Sequence, residues 1–318
     1  MDTVNANTGM LSVIIPAYNE EPNIPLAVRT ISQILVQADI EFELLFVDDG
    51  SKDNTWRAID QAAKENDHVR GISFSRNFGK EAAIFAGLAQ SKGACTAVID
   101  CDLQHPPEKL VEMYSLWKEG FQVVEGVKAS RGKESIFHSL AAKTFYAAIS
   151  NSTGIDMSRA SDFKLLDRRA VDTLLAMREK NAFFRALSSW IGFRTAQVEF
   201  QVQPRAEGES KWSLRSLIRY ATTNLASFST APLQLVTLLG ILVFAFSVLL
   251  GIHSLWKKLS GQALEGFTTV ILLLLFIGSA LMICLGIIGY YIARIYEEIK
   301  DRPRYIISKD CGAQDHDN

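Results

Sequence analysis

Short apolar runs separated by longer amphipathic stretches fill residues 10 to about 202. LSVIIP (11–16), FELLFVDD (42–49), VRGISF (69–74), CTAVID (95–100) and FQVVEGV (121–127) predict strands. Residues 23–37, 54–66 and 80–91 carry helical spacing, and another helix is expected after Pro106-Pro107. Near-continuous apolar strands alternating with helices predict an α/β domain with a mainly parallel sheet covered on both faces. Ligands of such sheets bind outside the carboxyl ends of the strands.

The pattern changes after residue 212. In 213–230, Leu214, Leu217, Ile218, Ala221, Leu225 and Phe228 recur at helical spacing, with Arg215, Arg219 and Thr222 on the other face. This predicts an amphipathic helix lying in a membrane surface. No Asp, Glu, Lys or Arg occurs from Tyr220 to Trp256, nor from Gly266 to Ala293. Each run is long enough to cross a hydrocarbon core of about 30 Å as a helix. The expected layout is a flexible N-terminus (1–9), a soluble domain (10–212), the interface helix (213–230), transmembrane helices at 231–256 and 267–293 around a loop (257–266), and a C-terminal tail (294–318). Arg205, Lys211, Arg215 and Arg219 precede the first span, and Arg294, Lys300, Arg302 and Arg304 follow the second, against Lys257 and Lys258 in the loop. The positive-inside rule then places both termini and the soluble domain in the cytosol, with the hairpin in the plasma (inner) membrane. Gly240, Gly251, Gly278, Gly286 and Gly289 permit close helix contact and leave a homo-oligomer open.

Composition narrows the classes. With 48% apolar residues and a net charge of −2 in 318 residues, the chain is neither disordered nor a whole-chain nucleic-acid binder. Cys95, Cys101, Cys284 and Cys311 fit no disulfide framework and no zinc spacing. The first ten residues, MDTVNANTGM, lack the basic and apolar regions of a signal peptide.

Candidate chemistry gathers at the strand ends. The first strand ends in Pro16-Ala17-Tyr18-Asn19-Glu20, the second in Asp48-Asp49-Gly50-Ser51, and the fourth in Asp100-Cys101-Asp102-Leu103-Gln104-His105. Acidic ends on one rim repel unless a cation or several donors stand near. Asp100 and Asp102, two residues apart in a turn, suit a hard divalent cation that also holds a diphosphate. His105 reads equally as a metal ligand or general base, or as a local structural residue at a helix start beside Pro106-Pro107. Neither G-x-G-x-x-G nor G-x-x-x-x-G-K-[ST] occurs, which disfavours dinucleotide oxidoreductases and P-loop enzymes.

VIIPAYNE, VDDGSKDNT and DCDLQHPPE together resemble the GT-A glycosyltransferases of family 2. With RAEGESKWSLRSLIRY and a two-span C-terminus, the chain resembles the polyprenyl-phosphate glycosyltransferases, the bactoprenol glucosyltransferases above all and also the dolichol-phosphate mannosyltransferases. The resemblance implies a Rossmann-like GT-A catalytic domain. It places Pro16, Ala17, Tyr18 and Glu20 around the base and ribose, and Asp49 on the base. Asp100 and Cys101 would face ribose and diphosphate, with Lys128 on a phosphate. Asp102, joined by Gln104, would hold Mg²⁺ or Mn²⁺. Arg205, Ser210 and Lys211 would bind the acceptor phosphate. Asp162 would be the catalytic base or an acceptor-orienting carboxylate.

The implied reaction is inverting transfer of a hexose, glucose from UDP-glucose foremost, onto polyprenyl (undecaprenyl) phosphate at the cytosolic leaflet. Two alternatives stand beside it. A processive polysaccharide synthase would carry a Q-x-x-R-W motif, which is missing here. A non-catalytic sugar-nucleotide-binding scaffold would not need Asp100, Asp102, Asp162 and Arg205.

Overall fold

The computed structural model describes residues 9–128, 160–177, 179, 183–201, 231–260, 266–300 and 302–312. β1 (Leu11–Ala17), α1 (Asn23–Gln37), β2 (Phe42–Asp48), α2 (Thr55–Glu65), β3 (Val69–Phe74), α3 (Lys80–Gln90), β4 (Cys95–Val98) and α4 (Lys109–Lys118) alternate as the apolar pattern predicts. β5 (Val123–Lys128), β6 (Ala160–Asp167), α5 (Arg168–Ala176), α6 (Phe184–Trp190) and β7 (Thr195–Phe200) follow.

Burial explains the elements. Every residue of β2 is buried, as a strand covered on both faces requires. α1 buries Ile24, Ala27, Ile31 and Leu35, spaced three and four apart along one stripe. α3 buries Ala83 through Leu88 and packs so closely on β1 that a Cβ on Gly87 would collide with Ile14. Truncating Ile14 itself, fully buried, would cost about 2–5 kcal/mol through lost transfer energy and a cavity.

The sheet is mixed, with parallel pairs in the majority among the described strands as expected. A final strand, β8 (Ile307–Cys311), completes the order β7-β5-β6-β4-β1-β2-β3-β8 among the described residues. β3-β2-β1-β4 and β5-β7 pair parallel, whereas β6 runs antiparallel to both β4 and β5, and β8 runs antiparallel to β3. The reversal of β6 matters for function. Val98 pairs with Lys164, so continuing the register two residues brings the start of β6, with Asp162, opposite Asp100 beyond the end of β4.

The C-terminal segment, expected to be a tail, instead closes the sheet edge. Besides β8, Ser75 N–H donates to the Ile306 carbonyl at 3.0 Å, and Tyr305 stacks on Phe74 at 5.1 Å. The Arg304 guanidinium donates to the Met177 carbonyl at 2.6 Å. The chain divides into two compact units, one up to Leu214 together with Pro303 onward, the other Arg215–Arg302.

In the second unit, α7 (Ala231–Leu259) and α8 (Phe267–Ile299) pack side by side, with Phe246 and Phe276 rings 6.2 Å apart. α7 runs three residues past the expected limit of 256, and α8 six past 293. Phe244, Leu249, Met282 and Leu285 are exposed on them. Among the described residues one helix, α8, is long and apolar enough to cross a membrane, over Phe276–Ala293 with a mean hydropathy of 2.0. The apolar stretch of α7, Leu238–His253, is shorter. The expected interface helix at 213–230 lies outside the described residues.

Candidate active site

The carboxyl ends of β1, β2 and β4 form one rim, and two loops there are tied together before any ligand is considered. Asn19, at φ 53°, donates its N–H to Ser51 Oγ at 2.9 Å and accepts at Oδ1 from Lys52 N–H at 2.8 Å. Glu20 N–H donates to Thr55 Oγ1, while the Glu20 carboxylate accepts from Asn23 at 2.6 Å. Pro16 and Tyr18 are half-buried beside buried Ala17. Asp48 is a structural acid, accepting from Ser73 Oγ and from Ser51 N–H.

Asp49 is held by neutral donors. Its oxygens accept from Phe78 N–H at 2.7 Å, Gly79 N–H at 2.9 Å and Asn77 Nδ2 at 2.9 Å. The carboxyl is 4% exposed. Burial pushes it up to about 6 against the pull of those amides. The adjoining Gly50 takes φ 64°, and a Cβ there would run into the backbone of Arg76 and Asn77, so the loop seals tightly over β2.

Beyond β4 the chain turns sharply. Leu103, at φ 53°, donates its N–H to the Asp100 carbonyl, and Gln104 N–H donates to Asp102 Oδ1 at 3.2 Å. Cys101 is buried in the core, and burial pushes its thiol well up. The His105 ring stacks on Phe163 and meets the edge of Phe200. Its Nδ1 is 3.8 Å from Asp100 Oδ2, without a hydrogen bond. Burial keeps His105 below its ordinary pKa, so near neutrality it is an uncharged packing group.

Asp100 and Asp162 meet through residues that the motifs did not single out. Lys80 Nζ is 2.6 Å from Asp100 Oδ1 and 3.0 Å from Asp162 Oδ2. Arg185 donates through Nε and a terminal nitrogen to Asp162 Oδ1, both at 3.1 Å. Burial alone would raise the Asp162 carboxyl, but Arg185 and Lys80 outweigh it and hold the group well below the usual range. Burial likewise opposes ionisation of Asp100, and Lys80 reverses the balance. Beside them Glu81 accepts from Phe184 N–H at 2.8 Å. Burial, reinforced by the Asp162 charge, pushes Glu81 up to about 7.

Behind this cluster, fully buried Lys164 pairs with Glu125 at 2.5 Å and donates to Ser189 Oγ, fixing α6 and hence Arg185 against β6. Lys128 lies exposed at the end of β5, on the far side of β6 from Asp100. Arg205, Ser210 and Lys211 lie outside the described residues.

Lys80 was findable as the first residue of a helix that follows a strand end. Arg185 carried no such signal, since seven-residue α6 has no distinctive pattern and meets Asp162 only through tertiary packing.

Residues 12–175 match the family described as glycosyl transferase family 2. The chain is 38% identical over 305 residues to an uncharacterized glycosyltransferase of Bacillus subtilis, YkcC, covering 95% of this chain and 94% of that one. It is 35% identical over 301 residues to the SfII prophage-derived bactoprenol glucosyl transferase of Shigella flexneri, covering 94% and 97%. Among solved structures, glucosyl-3-phosphoglycerate synthase from Mycobacterium tuberculosis, in complex with Mn²⁺, UDP and phosphoglyceric acid, matches with a TM-score of 0.50. That match has 20% identity and covers 69% of this chain and 76% of that one, a likeness of fold. On the family match and these full-length relatives, the chain belongs to glycosyl transferase family 2.

Proposed function

We propose that this glycosyltransferase moves a hexose, glucose from UDP-glucose first among donors, onto the phosphate of a polyprenyl phosphate at the cytosolic face of the plasma membrane. The observation that carries the reading is the joining, in one chain, of a carboxylate-lined rim to an apolar helix of membrane-spanning length. A helix of that length suits a protein that works at a bilayer, where an acceptor held in lipid is presented. Relatives named as bactoprenol glucosyl transferases, aligned over 94% of this chain, support the same acceptor class and donor sugar. α7 and α8 are read as a hairpin with both chain ends cytosolic, on the bias of flanking basic residues.

The donor set suits a divalent cation that is shared with the substrate. Among the described residues no three His, Cys, Asp or Glu side chains form a ready-made cage. Asp102 and Gln104, both half-buried on the turn after β4, offer hard oxygens and leave the remaining positions to diphosphate oxygens and water. Mn²⁺ accompanies UDP in the mycobacterial synthase, and Mg²⁺ has the same preference for oxygen. Held there, the ion would neutralise charge on the leaving diphosphate.

The protein's own groups orient the reactants. Asp49 and the loops around Asn19 and Glu20 shape the base and ribose site. Asp100 faces the ribose. A phosphate monoester, with a second pKa of about 6, arrives largely ionised and needs no strong base. Asp162, held down by two cations, is a poor proton acceptor and is assigned to orienting the acceptor. Lys80 and Arg185 offset its charge toward an incoming phosphate. Arg205, Ser210 and Lys211 are assigned to the acceptor phosphate from the juxtamembrane sequence. Direct attack by the phosphate oxygen on the anomeric carbon, with UDP leaving, inverts the configuration and gives a β-linked lipid-phosphate sugar.

The test is incubation of the full-length protein, in polyprenyl-phosphate vesicles with Mn²⁺, against a panel of UDP- and GDP-sugars. The expected product, by mass, is a polyprenyl-phosphate hexose formed from UDP-glucose. Polymer growth would favour the processive synthase. Nucleotide binding without any transfer would favour the scaffold.

A further inference from the structure

Residues 79–81 are a junction. Gly79 N–H binds Asp49, Lys80 binds Asp100 and Asp162, and Glu81 takes the N–H of Phe184 beside Arg185. Lys80 is the member of this junction that spans two strands, since Asp100 follows β4 and Asp162 lies in the first half of the reversed β6. It differs from the other buried lysine. Lys164 is completely enclosed and paired with Glu125, whereas the Lys80 side chain is 40% exposed on the rim where substrates enter.

We propose that Lys80 is a positioning residue for the transfer: its ammonium holds the donor-side carboxylate Asp100 and the acceptor-side carboxylate Asp162 as one unit, and it acts on the reaction through Asp162. This rests on the transferase reading above. Without the ammonium, Asp162 Oδ2 loses its bridge to Asp100, and two carboxylates of like charge face each other across the site. Arg185 still grips Oδ1, so the group remains in place but is free to turn. A misplacement of that kind costs orientation at the reacting centre, seen in kcat, and weakens nucleotide binding far less, because Asp49 and the loop contacts share that binding with the ribose-facing Asp100.

The experiment is a double-mutant cycle on the full-length protein with Lys80→Met, Asp162→Asn and the pair, plus Lys80→Arg. Each variant is measured for UDP binding with Mn²⁺ by calorimetry and for kcat and KM with polyprenyl phosphate. Lys80→Met should lower kcat about ten- to hundredfold while UDP affinity stays within about threefold. The paired variant should be slowed no more than about threefold beyond Asp162→Asn alone, because residues acting as a unit do not add. Lys80→Arg should recover part of the loss, its fork reaching both carboxylates. Additive losses, or a fall in UDP affinity as large as the fall in kcat, would overturn the proposal.

If the unaltered protein transfers nothing to polyprenyl phosphate, it is the acceptor assignment that fails. The cycle is then read on slow release of UDP from UDP-glucose to water, where non-additivity supports the role of Lys80 and additivity removes it. Should Lys80→Met fail to fold, Lys80→Gln and Lys80→Arg carry the same cycle.

Discussion

Asp49 and Asp162 are both buried carboxylates on one rim, yet they are held in opposite ways. Asp49 sits among neutral donors, two backbone N–H groups and an asparagine amide, and burial pushes it up to about 6. Asp162 sits between two full cations and is held down. The half of the rim built on β1 to β3 is thus shaped by backbone and loop packing. The half built on β4 and β6 is shaped by charge. A nucleotide site of the first kind is preformed and tolerant of charge changes elsewhere. A reaction site of the second kind depends on a few long side chains, each of which can be removed.

The largest expected effect lies at the turn between the halves. Asp102→Ala should abolish turnover and metal-dependent UDP binding while the fold survives, since its carboxylate is the one assigned to the cation. Turnover near that of the unaltered protein would remove Asp102 from that role.

Next comes the charged half. Arg185→Ala removes a guanidinium from Asp162, worth about 1.5–3 kcal/mol for a charge-assisted bond, or roughly ten- to hundredfold in kcat. UDP affinity should hardly change. Equal losses in both would erase the distinction between the halves.

In the backbone-built half, Asp49→Asn should do the reverse. An amide offers one acceptor oxygen in place of two, so part of the set from Phe78, Gly79 and Asn77 is lost. The KM for UDP-sugar should rise by up to about tenfold, a single-bond effect, with kcat little altered. A loss confined to kcat would contradict this.

The smallest effect is a pH signature in stability. Asp49 ordinarily titrates near 3.8 and is raised to about 6 on folding. The folded state therefore binds the proton more tightly, and this group's contribution is present below 3.8 and lost as pH rises through about 6. Asp162, lowered on folding, contributes above 3.8 and loses its contribution only toward strong acid. Between pH 5 and pH 8, the Tm of Asp49→Asn should therefore improve relative to the unaltered protein as pH rises, while that of Asp162→Asn should change only by the smaller part that Glu81 carries, since burial is the main cause of the raised Glu81 pKa and the Asp162 charge the lesser one. Parallel behaviour of the two variants would contradict the assigned shifts.

How much of this was legible follows the same division. β1 to β4 and α1 to α4 announce themselves through unbroken apolar runs and helical spacing, and Asp49, Asp100 and Asp102 fall at strand ends where ligands of such sheets bind. β6 hides, because SDFKLLD mixes charge with apolar residues: Lys164 is fully buried yet reads as polar. Its reversal, which delivers Asp162 to Asp100, is a matter of topology and not of local pattern. β8 carries Lys309 and Asp310, and a charged edge strand of five residues reads as a tail. The cations at Lys80 and Arg185 owe their role to packing between elements distant in sequence. His105, balanced between two roles in the sequence, is decided by the rings of Phe163 and Phe200 around it.

The most direct test of the account is the stereochemistry of the product. Full-length protein in vesicles of polyprenyl phosphate, given UDP-α-glucose and Mn²⁺, is followed by NMR of the sugar recovered on the lipid. Direct displacement predicts a β-linked glucosyl phosphate on the polyprenol, formed in step with UDP release. An α-linked product would contradict the single displacement, and UDP release with no sugar on the lipid would contradict the acceptor.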